Sequence, residues 1–174
     1  WKKPSEVLHS PVNVNRFKWN KPREDFYLSV CRLVPNKRVD LVVRAFNRLK
    51  LPLIVVGDGA EKAYLKNLAG PTVQILGFQS REKIEILMSQ CRAFVYAGIE
   101  DFGIAPVEAM ASGAPVIAFG MGGVLDTVKC FSSNSDEGAT GLLFPAQTVK
   151  SLVEAIQFFK EKQLWRDLPP ELIR

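Results

Sequence analysis

Short apolar runs alternate with helical periodicities along most of this chain. Tyr27 to Leu33 is apolar and β-branched, the pattern of a buried strand. From Val39 to Lys50 the spacing changes. Val39, Val42, Val43, Phe46 and Leu49 recur at intervals of three and four, one face of a helix. The cycle then repeats. Leu53 to Val56 predicts a strand, stopped by Gly57-Asp58-Gly59, and Ala60 to Ala69 a helix. Val73 to Leu76 predicts a strand, and Ser80 caps a helix running to about Gln90. Ala93 to Tyr96 is the next strand, followed by a helix opening near Pro106. Pro115 to Phe119 is another strand, with a short helix from Gly123 to Lys129. Gly141 to Phe144 closes the set of strands. A helix from Ser151 to Lys162 then turns Leu152, Ala155, Ile156 and Phe159 inward.

Six strands, each followed by a helix, imply right-handed crossovers and a parallel sheet covered on both faces. The expected class is α/β, a Rossmann-like doubly wound parallel sheet. Such sheets bind ligands at the carboxyl ends of their strands, so the loops after each strand become the candidates for chemistry. Residues 1–24 are polar and non-periodic, with Pro4, Pro11 and Pro22 opposing any helix. They read as a linker, and residues 25–174 as the domain.

Composition narrows the function classes. At 174 residues with 47% hydrophobic and 24% charged content, the chain can bury a core, and disorder is not the expectation. No apolar run approaches a membrane span, and no secretory leader is evident. The first residue is Trp1, not Met, which predicts a piece of something longer. Cys31, Cys91 and Cys130 form no C-x-x-C pair, which favours reduced thiols and a cytoplasmic setting. His9 is the only histidine, so a zinc site or a histidine-based hydrolase is disfavoured, and it reads as a surface residue. The net charge of +5 suits an anionic ligand, an anionic membrane surface or nucleic acid. Basic residues alternate with acids, and no aromatic-basic module accompanies them, so nucleic acid is not an expected partner.

Five loops stand out. The first, Cys31 to Arg38, has no glycine and therefore no dinucleotide cradle. It offers Arg32 at a strand end and Lys37 before a helix, either a clamp for a diphosphate or two solvated charges. Gly57-Asp58-Gly59 lets a backbone approach a ligand or merely ends a strand, and Gly77-Phe78 places a ring beside a nucleobase or over the core. Glu100 to Glu108 is richer. Phe102, Gly103 and Ile104 precede Pro106 at a helix start, where unpaired amides and the helix dipole make an anion receptor. Glu100 and Glu108 border the same ligand and accept hydroxyl hydrogen bonds, or are a solvated acid and a dipole partner. Gly122-Gly123 is a further amide set facing phosphate or sugar, or an ordinary turn.

Together these loops resemble the C-terminal domain of family-four glycosyltransferases, one half of a GT-B fold. The resemblance covers nearly the whole chain. It runs through Pro11 to Phe17, Ser29 to Lys37, Val56 to Gly59, Leu76 to Phe78, Glu100 to Ile117, Gly122 to Val128 and Thr140 to Phe144. It implies that Arg32 and Lys37 hold and stabilise a departing donor diphosphate, with Glu100 on the transferred sugar. The amides of Phe102, Gly103 and Ile104 would face sugar and phosphates. Glu108 would meet the ribose hydroxyls, and Gly77-Phe78 would line the base. Gly57, Gly122 and Gly123 join the donor site.

No cofactor or metal is implied beyond the nucleotide-sugar donor, and the sugar moves with retention of configuration. The version of the motifs here is most similar to mannosyltransferases of polysaccharide assembly, which makes GDP-mannose the expected donor ahead of a UDP-sugar. A glycan or lipid-linked acceptor and an N-terminal domain of the same enzyme complete the expected partners, with peripheral membrane contact at the inner face. Two departures stand out. Arg38 replaces a common glycine and is expected to face solvent, and Asp126 replaces a usual glutamate. The family's final crossing helix is expected to be missing. A non-catalytic nucleotide-sugar-binding module and a sugar-nucleotide epimerase-like domain are the alternatives, with an NAD-dependent dehydrogenase last.

Overall fold

The computed structural model describes residue 6, residues 10–131 and residues 138–173. His9 lies outside them. Among the described residues six short strands pair in parallel: β1 (Tyr27–Val30), β2 (Leu53–Val56), β3 (Val73–Gly77), β4 (Ala93–Tyr96), β5 (Val116–Phe119) and β6 (Gly141–Phe144). Their order across the sheet is β3-β2-β1-β4-β5-β6. The helices are α1 (Val39–Leu49), α2 (Lys62–Leu68), α3 (Arg81–Gln90), α4 (Ile104–Ala111), α5 (Val124–Thr127), α6 (Val149–Glu161), α7 (Leu164–Asp167) and α8 (Pro170–Ile173).

The chain builds outward from β1 through β2 to β3, then returns to β1's other side with β4. The reversal makes a topological switch point between β1 and β4. Every residue of β4 and β5 is buried, as expected of strands covered on both faces. The Tyr27 ring of β1 meets Phe46 of α1 edge-on at 5.1 Å and Phe159 of α6 at 6.4 Å, tying two helices to the sheet centre. Ser80 accepts from the Lys83 amide and Thr148 from the Ser151 amide, which caps α3 and α6.

Boundaries shift where tertiary contacts redirect the backbone. β1 stops at Val30, because the next residues leave the sheet to pair with the turn after β2: the Leu33 amide donates to the Asp58 carbonyl at 2.9 Å. α2 begins late, since the Glu61 amide is drawn to the Leu33 carbonyl. α4 opens at Ile104 with Gly103 as its N-cap, so Pro106 is its third residue, not its first. The missing N–H still costs nothing there, because first-turn amides have no helical acceptor. α5 ends at Thr127, short of Lys129. α7 and α8 carry no strong periodicity and were not expected.

The lead-in segment lies against the domain. Phe17 is buried in the core. The Arg23 guanidinium donates to the carbonyls of Cys91 and Gly113, and the Glu24 amide to that of Gln90. No helix among the described residues is long and apolar enough to cross a membrane.

Candidate functional site

The loops leaving β1 and β4 face each other across the switch point and enclose a cleft of about 390 Å³. Arg32 and Lys37 line it from the β1 side, and Glu100, Phe102, Gly103 and Ile104 from the β4 side. The predicted cations, the predicted acid and the predicted helix terminus thus share one space. Arg32 is exposed, and its side chain makes no ion pair or hydrogen bond among the described residues. Lys37 is more enclosed, and its ammonium pairs with Oε1 of Glu100. The Tyr96 hydroxyl donates to the same oxygen at 2.6 Å. Desolvation by burial pushes the Tyr96 phenol well up, so it keeps its proton and acts as a donor. Burial likewise pushes the Cys31 thiol up to about 12, against a smaller opposing pull from Lys37. Cys31 therefore lines the cleft as a neutral thiol.

At the start of α4 the backbone turns through Gly103 at φ +81, a conformation that favours glycine. The amides of Gly103, Ile104 and Ala105 have no acceptor among the described residues. With the helix dipole behind them they present a concentration of positive potential to the cleft.

Two glycine motifs make close approaches to the protein's own backbone. A Cβ on Gly57 would lie 1.8 Å from the Cys31 carbonyl oxygen, and one on Gly59 would lie 2.3 Å from that of Leu33. These glycines press against the back of the Arg32 loop, and Gly57 is not among the cleft's walls. Gly122 and Gly123 do the same for the opposite loop, where added Cβ atoms would meet the Glu100 and Asp101 carbonyl oxygens at 2.4 Å each. The Gly123 amide is consumed by the Glu100 carbonyl at 2.7 Å, so it does not face a ligand. The sequence signal was a demand for close approach, and the approaching group is the protein's own backbone.

One turn along α4, Glu108 borders a second cleft of about 350 Å³, shared with Arg16, Phe78, Arg81 and Glu85. Phe78 stands 79% exposed, so it does not cap the core. Gly77 sits at the end of β3 with φ +74, and its carbonyl accepts from the Gly57 amide. Glu108 is not free: Arg16 reaches from the lead-in segment to its Oε1 at 2.9 Å and to Glu85 at 3.1 Å. Partial burial raises the Glu108 carboxyl above its ordinary value despite the Arg16 charge. The two clefts lie along one helix, the cations and amides at its start and Glu108 further on.

Arg38 stays out of both. It adopts a left-handed conformation (φ 52, ψ 38), which favours glycine. Its guanidinium is held by Asp40 at 3.1 Å and Gln147 at 3.3 Å, so it is only partly in solvent. Sequence reasoning missed Tyr96, Arg16 and Glu85. Tyr96 was legible only as the last residue of a strand, and Arg16 belonged to a segment with no periodicity. A wider cleft of about 450 Å³, where Lys18 and Lys21 face α3, contains none of the groups after β1 and β4. Among the described residues no cluster of three or more His, Cys, Asp or Glu could hold a metal ion.

The chain is 32% identical over 133 residues to a GDP-mannose-dependent alpha-mannosyltransferase of Mycobacterium tuberculosis, covering 76% of this chain and 33% of that protein. Sucrose-phosphate synthase from Thermosynechococcus elongatus superposes with a TM-score of 0.74 at 26% identity, over 93% of this chain and 45% of that one. Anabaena Alr3699/HepE, solved in complex with UDP and glucose, gives 0.68 at 25% identity over 87% of this chain and 42% of that one. The chain spans less than half the length of the curated relatives it matches. The family model described as "Glycosyl transferases group 1" matches residues 12–172, and the chain, with a GT-B type of sheet, belongs to that family of glycosyltransferases.

Proposed function

We propose that this chain is the donor-binding half of a retaining hexosyltransferase that works without a metal ion, with GDP-mannose as donor ahead of a UDP-sugar. The observation that carries the reading is the convergence of Arg32, Lys37 and the first amides of α4 on one cleft. A departing nucleoside diphosphate gathers negative charge, and fixed cations and amides aimed at it lower the barrier. Arg32 and Lys37 hold the diphosphate, with the amides around Gly103 across from them. Glu100 accepts from sugar hydroxyls. Glu108 serves the ribose once Arg16 gives way, and the Gly77-Phe78 loop lies beside the base.

In the transfer the bond from sugar C1 to the diphosphate oxygen breaks. The acceptor oxygen bonds to C1 from the same face, and its proton passes to the departing phosphate. Cys31, held as a thiol, supplies no nucleophile. The acceptor, a glycan or lipid-linked sugar, binds across from this half on an N-terminal domain. The chain alone is therefore expected to bind donor without turning it over. The mannosyltransferase relative argues for GDP-mannose, and the UDP-bound neighbour for the alternative. A cytoplasmic protein touching the membrane surface fits a lipid-linked acceptor.

Thermal melts of the chain with GDP-mannose, UDP-glucose and ADP-glucose test the reading. Donor at about a hundred times its Kd adds about 2.7 kcal/mol. That raises Tm by about 5–10 °C for a domain of this size. Arg32→Ala should abolish the shift while leaving the unliganded Tm within about 1 °C, because the side chain supports nothing else among the described residues. Absence of a shift with every sugar nucleotide would defeat the proposal.

A further inference from the structure

The two cations of the cleft are unequal before any ligand arrives. Lys37 has a side chain only 15% exposed and is already paired with Glu100, whereas Arg32 extends into water with no such partner among the described residues. An enclosed ammonium has lost much of its hydration and needs a counter-charge, while an exposed guanidinium does not. An incoming anion therefore meets Arg32 at full charge and finds Lys37 neutralised.

The third member of the group is Tyr96. It is 2% exposed, ends β4, and pairs with Ala118 of β5. Gly98 presses on it: a Cβ there would lie 3.0 Å from the Tyr96 hydroxyl oxygen and 3.1 Å from the Lys37 Cα. The phenol, the Lys37 backbone and the turn after β4 are thus packed as one unit, and the phenol donates to the oxygen that Lys37 holds.

We propose that Tyr96 is a positioning residue that pins Glu100 over Lys37, making Glu100 a tethered counter-ion that a diphosphate must displace and that sugar hydroxyls then satisfy. The inference rests on the donor-binding reading above. When a phosphate takes Lys37, an untethered carboxylate would swing into solvent and rehydrate. Held by Tyr96, it stays inside the cleft with acceptor capacity unfilled. A ligand with hydroxyls next to its diphosphate fills that capacity, and bare pyrophosphate leaves it empty. The same contact thereby favours the sugar-bearing donor over other diphosphates.

Isothermal titration of the chain with inorganic pyrophosphate and with GDP-mannose tests this in wild type, Glu100→Gln and Tyr96→Phe. Glu100→Gln should bind pyrophosphate about tenfold tighter, since Lys37 no longer has a competing anion. Its affinity for GDP-mannose should not rise in step, so the preference for the sugar donor falls by about tenfold. Tyr96→Phe should shift both in the same directions by about threefold, the lower end of what one net hydrogen bond contributes. A purely structural role would weaken both ligands together, and that result overturns the proposal. If GDP-mannose binds but neither variant tightens pyrophosphate, the tether is wrong and the donor reading survives. If pyrophosphate responds as expected while no sugar nucleotide binds, the counter-ion is supported and the donor reading fails.

Discussion

Gly123→Ala isolates one steric effect behind the site. The backbone at Gly123 has φ −61 and ψ −15, open to any residue, so alanine meets no torsional penalty. Its Cβ would nevertheless lie 2.4 Å from the Asp101 carbonyl oxygen, 2.5 Å from the Phe102 Cα and 2.7 Å from the Asp101 carbonyl carbon. Ordinary carbon contacts are about 3.5–4.0 Å, so the loop at residues 101–102 has to retreat by about 1 Å. The obstacle is backbone, and no side chain can rotate away. Overpacking of this kind costs about 1–3 kcal/mol. At about 2 kcal/mol, Tm falls by about 4–8 °C for a domain of this size. The displaced loop also carries Glu100 and leads into the Gly103 amides. A misplacement of about 1 Å is enough to weaken a positioned contact by tenfold or more, so GDP-mannose affinity should drop by at least about tenfold. Gly120→Ala is the matched control. Its Cβ would find Leu143 at 3.5 Å and Phe144 at 3.6 Å, ordinary contacts, and its Tm should change by less than about 2 °C. Urea and thermal unfolding of both variants, with donor titration, give the comparison. Equal stability and equal donor affinity in the two variants would refute the close-approach argument.

Two further outcomes follow from single residues. Arg38→Gly should stabilise the domain by about 1 kcal/mol, because it relieves a left-handed residue, offset in part by the lost Asp40 and Gln147 contacts; a lower Tm than wild type contradicts this. Glu108 has a raised carboxyl in the folded chain, so more protons are bound folded than unfolded, and its contribution to stability is lost as pH rises through and above the usual carboxylate range. Glu108→Gln should therefore melt above wild type at neutral pH, with the difference closing toward acid, and a pH-independent difference would show that burial is not the cause.

Much of the site was legible because charge and capping chemistry are local properties. Arg32 and Lys37 flank a strand end and a helix start, and the Glu100 to Glu108 stretch announces a helix terminus through Gly103 and Pro106. Strand ends were less so: Cys31 to Leu33 is apolar enough to extend β1, but hydrogen bonds to the turn after β2 pull it out of the sheet. The glycine pairs leave a ligand-facing backbone and an ordinary turn both open, because a missing Cβ says that something comes close, without saying what.

The periodicity and composition of this chain determined by themselves the six strand-helix cycles, the parallel sheet and the edge that carries the candidate loops, since spacing along the backbone dictates which face is apolar. Only the tertiary structure decided what each site residue meets. Glu100 finds Lys37 and Tyr96, and Arg16 crosses 92 positions to reach Glu108. Gly123 lies against the loop that carries Glu100. These pairings depend on which loops the crossovers bring together, and no local pattern encodes a distance between segments so far apart.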